Sequence, residues 1–202
     1  MLPNELPFEL GETLQGTDDN DNLINDHWLG QIFEVPANQY NASQVRAGKK
    51  RLVGRQLKVV ALRNESGVTL YGGRLAALDT TAGYDLLKDV IGYATDTDQT
   101  NVVFIDHNLA TDGVADDDIF WGILEGPLIA QTQETAASAG TIAVGNKLVA
   151  GTGAASSQAT SAGGVGASAT PGVASIVGTA LSARASTQTN TDVLINACIR
   201  CV

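Results

Sequence analysis

The chain has 202 residues, enough for one or two domains with a packed core. Its net charge of −10 argues against general nucleic-acid binding, because an acidic surface is repelled by the phosphate backbone. No apolar run is long enough to cross a membrane and no signal-peptide pattern is seen, so we expect no membrane partner and synthesis in a cytoplasm.

Small apolar residues dominate the hydrophobic part of the composition. Aromatic residues make up only 5% of the chain while 22 glycines are present, and this balance favours strands and turns over long helices. The composition therefore predicts an all-β fold.

Residues 1–48 are predicted to form an extended N-terminal arm, because prolines and turn residues interrupt any periodicity. The arm carries too many apolar side chains for a disordered tail, and we expect them to be buried against the chain's own core or a neighbouring subunit. We interpret its large aromatic residues as candidate protein-interface residues: Phe8, Trp28 and Phe33.

Residues 49–202 are predicted to form the β domain. In its first strand candidate, apolar residues alternate with Lys58 and Arg63, which we expect on a solvated face. Residues 151–172 consist of Gly, Ala, Ser, Thr and a few other residues, and we expect a long surface loop there.

Two stretches of the β domain repeat one pattern, which predicts two related β units at about 64–130 and 138–202. Each has a strand, a Gly turn, a strand with V-x-G-x-A character around Gly92 or Gly178, and a closing strand introduced by Asp118 or Asp192. Two such units packed together would give a sandwich or barrel.

Basic residues are concentrated in one part of the chain. Residues 46–63 carry seven Lys and Arg residues and no acidic residue, whereas residues 1–45 carry eight acidic residues and no Lys or Arg. This stretch allows three interpretations: solvated surface, a contact with an acidic protein, or nucleic acid, which the net charge disfavours. The candidate interface residues here are Arg46, Lys49, Lys50, Arg51 and Arg55.

No arrangement of residues points to catalysis. The two histidines, His27 and His107, each follow an Asp, but adjacency in sequence does not assemble a catalytic triad. Asp-His adjacency is therefore interpreted as structural, and we expect neither an enzyme nor a cofactor.

Two further patterns are considered as metal or redox sites. Residues 18–22 resemble the start of a calcium loop, but Leu23 and Leu29 stand where such a loop needs Gly and Glu, so a cation there stays an open alternative. Cys198 and Cys201 form a C-x-x-C in a strand candidate, where their sulfurs would point to opposite faces; we interpret both as structural thiols.

The strand and Gly-turn segments SGVTLYGGRLAALDTTAG with DVIGYATD, and TIAVGNKLVAGTGAAS with ASIVGTALS, resemble the β units of capsid decoration (cement) proteins of tailed bacteriophages. The resemblance covers about residues 52–202. It implies a non-catalytic virion protein on the outer capsid surface that bridges major capsid protein subunits. It also implies a homo-oligomer, with a trimer favoured. The alternative is a tail, baseplate or fibre component.

Overall fold

The computed structural model describes residues 6–35, 57–80, 87–94, 101–109, 112–130, 143, 145, 147–150, 165–167, 178–180 and 193–198. Within these ranges the regular elements are one 3-10 helix, Asp26–Trp28, and ten strands. The strands are β1 (Ile32–Val35), β2 (Leu57–Asn64), β3 (Leu75–Leu78), β4 (Asp89–Tyr93), β5 (Val102–Ile105), β6 (Ile119–Ala130), β7 (Lys147–Ala150), β8 (Val165–Ala167), β9 (Gly178–Ala180) and β10 (Val193–Cys198). The described part of the chain is therefore all-β, as the composition predicted.

Five strands form a closed circuit of backbone pairings. The order is β2-β4-β3-β5-β6, and β6 pairs with β2 again. All of these pairs are antiparallel except β2 with β4, which run parallel where Arg63 and Asn64 meet Asp89 and Val90. Because the circuit closes, none of its strands depends on an open sheet edge.

Both faces of β3, β5 and the first half of β6 are buried, and so is most of β2. Alternate residues of its strands belong to two apolar clusters, since successive side chains of a strand point to opposite faces. One cluster consists only of residues from the circuit and its loops, and it fills the interior that the circuit encloses. Its members are Val60, Leu62, Leu70, Ala76, Leu78, Val90, Tyr93, Val103, Ile105, Val114, Phe120 and Leu124. A Cβ on Gly122 would lie 2.5 Å from Leu62 Cδ1 and 2.7 Å from Val103 Cγ2, so this interior has no spare room.

The second cluster covers the outer face and includes residues from outside the circuit. It combines Val59, Phe104 and Trp121 with Phe8 from the N-terminal part and with Leu148 of β7. Burial on both faces explains why β2 reads LKVVALRN rather than as a strict apolar and polar alternation.

The long strand β6 belongs to two groups of strands. Its first half pairs with β2 and β5, and its second half, Glu125–Ala130, pairs with β10. Beyond β10 the order continues with β9, β7 and β8. The register shifts between Lys58 and Val59 opposite β6, and Gly126 has a φ of 122°, so the strand changes course where it leaves the circuit.

The strands β3 to β6 and β7 to β10 follow the same order. In each set, the first strand in the sequence lies between the second and the third, and the fourth follows the third, giving β4-β3-β5-β6 and β8-β7-β9-β10. Gly92 of β4 is the Cα partner of Ala77, and Gly166 of β8 is the partner of Val149. In the pairing order, β8 therefore occupies the position in its set that β4 occupies in the first set. The sequence pattern had instead aligned Gly178 of β9 with Gly92 of β4.

One sequence expectation fails inside the Gly-rich stretch. Residues 151–172 were expected to form only a surface loop, but Val165–Ala167 form β8, which pairs with β7. Small residues cannot fill a core, yet their backbone can still complete a ladder beside a neighbouring strand. Of the two cysteines interpreted as structural thiols, Cys198 ends β10, and Cys201 lies outside the described residues.

Residues 6–35, called here the N-terminal strap, run along the outer face of the circuit and end in β1. β1 pairs with the first half of β2, from Ile32 opposite Val60 to Val35 opposite Leu57. The strap packs apolar side chains against the outer cluster: Leu6, Phe8, Leu10, Leu14, Trp28, Leu29, Phe33 and Val35. Of the two destinations expected for these side chains, the described residues show burial against the chain's own core.

Candidate protein-interface surface

Two of the predicted interface residues lie in an aromatic cluster around Trp121. The ring of Phe8 stacks on that of Trp121 with centroids 4.4 Å apart, and Phe33 meets the same indole edge-on at 5.4 Å. Trp121 Nε1 also donates a hydrogen bond to the Phe8 carbonyl at 3.1 Å. Phe8 is only 9% exposed, so it acts first as an anchor of the strap.

The third predicted aromatic residue, Trp28, is more accessible. It lies at the end of the 3-10 helix, is half-buried against the outer cluster, and its ring is 4.5 Å from that of His27. A half-buried indole has apolar area that a partner can still cover. Trp28, like the half-buried Phe33, is therefore better placed for an external contact than the buried Phe8.

A buried carboxylate holds the strap near Gly11. Asp106 Oδ2 accepts a hydrogen bond from the Gly11 N–H at 2.7 Å, and Oδ1 accepts two from the backbone and side-chain nitrogens of Asn108 at 3.0 and 2.9 Å. His107 Nδ1 is 3.9 Å from Asp106 Oδ1. These charge-assisted bonds give Asp106 a structural role in holding the strap.

Arg63 is a correction to the sequence expectation. It was expected on a solvated face, but its side chain is only 4% exposed and forms ion pairs with Asp26 and with Glu65, the latter at 3.9 Å. The outer face of β2 is covered by the strap, so a residue there is not solvated even though the sequence alternates. Arg63 therefore joins the 3-10 helix of the strap to the end of β2.

The strap is tied to the turn before β6 by its backbone. Leu14 and Ile119 exchange two N–H to C=O hydrogen bonds of 2.8 and 2.7 Å. The Asp118 carboxylate accepts hydrogen bonds from the Gly16 N–H and the Thr13 hydroxyl, yet burial raises the pKa of Asp118 above its ordinary value, with neighbouring Asp117 adding to the rise.

The loop that resembles the start of a calcium site is closed by its own amides. Asp18 Oδ1 accepts hydrogen bonds from the backbone N–H groups of Asn20 and Asn22 at 2.8 and 2.9 Å, and the Asn22 side chain bonds both carboxylate oxygens. The Asn22 side chain is the main cause that lowers the pKa of Asp18. Among the residues that the structure describes, no group of three His, Cys, Asp or Glu side chains could hold a metal ion.

Four large apolar side chains remain at the surface of the described residues: Leu23, Ile32, Val68 and Ile91. Ile32 and Ile91 are each 52% exposed and lie on β1 and β4, the two strands that share one edge of β2. A Cβ on Gly92, beside Ile91, would meet no atom within 4 Å, so the surface there is open. Sequence reasoning missed Val68 and Ile91, because both were placed in strand candidates, whose apolar residues are taken as core unless the packing is known; Ile91 does lie in β4, whereas Val68 lies in the bend after β2.

The basic interface residues Arg46, Lys49, Lys50, Arg51 and Arg55 lie outside the described residues. The structure does fix where their segment joins the β domain. Val35 and Leu57, the described residues on either side of residues 36–56, are Cα partners at one end of the β1 and β2 ladder.

Beside that point, a row of charges crosses three strands. Glu34, Lys58 and Glu125 are neighbouring partners on β1, β2 and β6, and Lys58 Nζ is 3.1 Å from the Glu125 carboxylate. The side chains of Lys58 and Glu125 are 41% and 51% exposed, so this pair is solvated and weakly stabilising.

The chain matches no protein-family model, no curated protein and no solved structure. The 3-10 helix of the strap is the only helix within the described ranges. In the same residues no helix is long and apolar enough to cross a membrane.

Proposed function

We propose that this chain is a non-catalytic virion structural protein that decorates and stabilises the outer surface of a tailed-phage head by bridging major capsid protein subunits. The observation that carries the proposal is the concentration of five basic residues within residues 46–55, between the paired residues Val35 and Leu57, on a chain of net charge −10. A local basic segment on an acidic protein suits an acidic protein surface, and it repels further copies less than a uniformly acidic one would.

Exposed apolar side chains give the proposal its second support. Ile32 of β1 is 52% exposed and lies only a few residues before the segment that holds the basic residues, and Trp28 lies in the same strap. Charged contacts steer a partner, while buried apolar area gives a contact its affinity. A bridging protein needs many such modest contacts, which symmetry repeats over a shell.

The two-unit architecture belongs to the same proposal. The common order of β3 to β6 and β7 to β10 favours two related β units, the first closed by β2 and the second joined to it through β6. A trimer is the favoured assembly, in which each copy presents its basic segment to a different capsid subunit.

The test is binding to heads that lack this protein, followed by co-sedimentation. Replacing Lys49, Lys50 and Arg51 by Gln should reduce binding at low salt at least about tenfold and flatten its salt dependence. A control with the same change in net charge replaces Ser156, Gln158 and Ser161 by Glu, and it should bind as the unchanged protein does.

Three results would count against the proposal. Equal loss in both variants would assign the effect to net charge alone. Unchanged binding in the first variant would make the basic segment bare surface. Binding to isolated tails instead of heads would favour a tail, baseplate or fibre component.

A further inference from the structure

The strap and the β domain meet as two separate surfaces. The strap contributes Phe8, Gly11 and Leu14, and the domain contributes Trp121, Asp106 and Ile119. Each contact joins a strap residue to a domain residue that is far from it in the sequence, with several strands between them along the chain. Such contacts have the same geometry whether the strap belongs to the same chain or to another copy.

The connection between the two surfaces is far longer than their geometry requires. β1 and β2 are antiparallel neighbours, and such a pair is usually joined by two to five residues, whereas about twenty residues separate Val35 from Leu57. A fully extended chain of that length reaches at most roughly 70 to 75 Å, well beyond the width of one small domain.

We propose that in the oligomer the strap of one copy occupies the outer face of the β domain of a neighbouring copy, with β1 paired to the neighbour's β2. The occupant is a second copy of this chain, because the strap's side chains already fit that face: Phe8 on Trp121 at 4.4 Å and the Gly11 N–H on Asp106 at 2.7 Å. Exchange replaces contacts within a chain by the same contacts between chains, so its cost is small and its extent depends on concentration.

Exchange in one direction around a ring gives a closed oligomer. The strap surface and the domain surface differ, so the contact is heterologous, and three copies close a ring when each donates to the next. This inference deepens the proposed function, since it explains how the bridging oligomer is built. Only the biological role of the exchange rests on the proposed function, because the exchange itself can be measured on the purified protein without a capsid.

Cysteine pairs on β1 and β2 distinguish the two arrangements. Glu34 and Lys58 are Cα partners in the ladder and both are solvent-accessible, so cysteines there lie within reach of a disulfide in either arrangement. In a background in which Cys198 and Cys201 are replaced by Ser, the E34C/K58C chain is oxidised at high concentration and run on a non-reducing gel. Exchange predicts covalent oligomers that reducing agent returns to monomers.

Co-expression gives the second arm. One chain carries only E34C and another, with a different tag, carries only K58C; exchange predicts a covalent dimer of the two tags in at least about a third of the chains. The matched control combines E34C with E125C, because Glu125 is as exposed as Lys58 but lies across β2, about 10 Å from Glu34 and beyond disulfide reach.

Each outcome decides the inference. E34C/K58C chains that migrate only as oxidised monomers, or a control that cross-links as well as the test pair, would overturn it. Covalent oligomers from a protein that does not bind heads would leave exchange standing and overturn the capsid function instead.

Discussion

At the scale of single residues, substitution of Phe8 distinguishes a role in the core from a role in binding a partner. Its stacking on Trp121 and its burial predict that Phe8→Ala lowers the free energy of unfolding of the free protein by about 3 kcal/mol, measured by urea denaturation. Leu23→Ala is the control, because Leu23 is 56% exposed and its loss should cost under about 0.5 kcal/mol. Equal stabilities of Phe8→Ala and the unchanged protein would leave Phe8 as a contact for partners only.

Asp118 gives a pH-dependent prediction. Its pKa in the folded protein is raised above 3.8, so the folded state binds more protons than the unfolded state, and its contribution falls as the pH rises through the folded pKa. Asp118→Asn keeps an acceptor for Gly16 and Thr13 and removes the charge. The variant should therefore be the more stable at pH 7, and the difference should vanish below about pH 3.5.

Urea denaturation at both pH values measures this difference, with Asp112→Asn as a control that makes the same charge change at an exposed position. A stability difference for Asp118→Asn that persists at low pH would assign the effect to altered hydrogen bonding and not to ionisation.

Residue identity alone did not predict these roles. Phe8 and Phe33 were recognised as too apolar for a free tail, but a sequence without periodicity does not say which surface a segment covers. Arg63 was placed on a solvated face because alternation in β2 implied one wet side. That inference assumes that one face of the sheet is exposed to solvent, but the strap covers the face on which Arg63 lies.

At the scale of elements, the strap and the turn before β6 approach each other as closely as backbones can. A Cβ at residue 16 would lie 1.8 Å from the Asp117 carbonyl oxygen, and backbone cannot yield as a side chain can. Gly16→Ala should therefore lower the free energy of unfolding by more than about 2 kcal/mol and weaken protection of the Leu14 and Ile119 amides in hydrogen exchange.

Gly67→Ala is the matched control for this approach. Gly67 has a φ of 72°, and a Cβ on it would meet no atom within 4 Å, so the substitution costs only the backbone strain of about 1 kcal/mol. If the two variants lose the same stability, the close approach of the strap contributes nothing beyond strain.

Among the elements, strands were the easiest to predict. β2, β3, β4, β6 and β10 all fall in stretches where apolar, β-branched and aromatic residues follow turn signals. β8 was missed because three small residues carry no such signal, and its pairing with β7 depends on backbone alone.

At the scale of the whole molecule, pairing order is the part that the sequence leaves undetermined. The repeated Gly patterns indicated two similar halves, but a valine one or two residues before a glycine is a short pattern that occurs in β4, in β8 and at the start of β9. Only the pairing of Gly92 with Ala77 and of Gly166 with Val149 distinguishes the possible alignments. Closure of the circuit by β2 depends equally on contacts between residues distant in sequence.

The junction of Val35 with Leu57 also determines how the molecule responds to force. Tension transmitted through residues 36–56 enters at these two residues, at the same end of the β1 and β2 ladder. When force is applied at one end of a ladder, its hydrogen bonds break one after another; they are not all loaded at the same time, as they would be in shear. β1 would therefore peel away first and lengthen the connection, while β6 still holds β2 along its other edge.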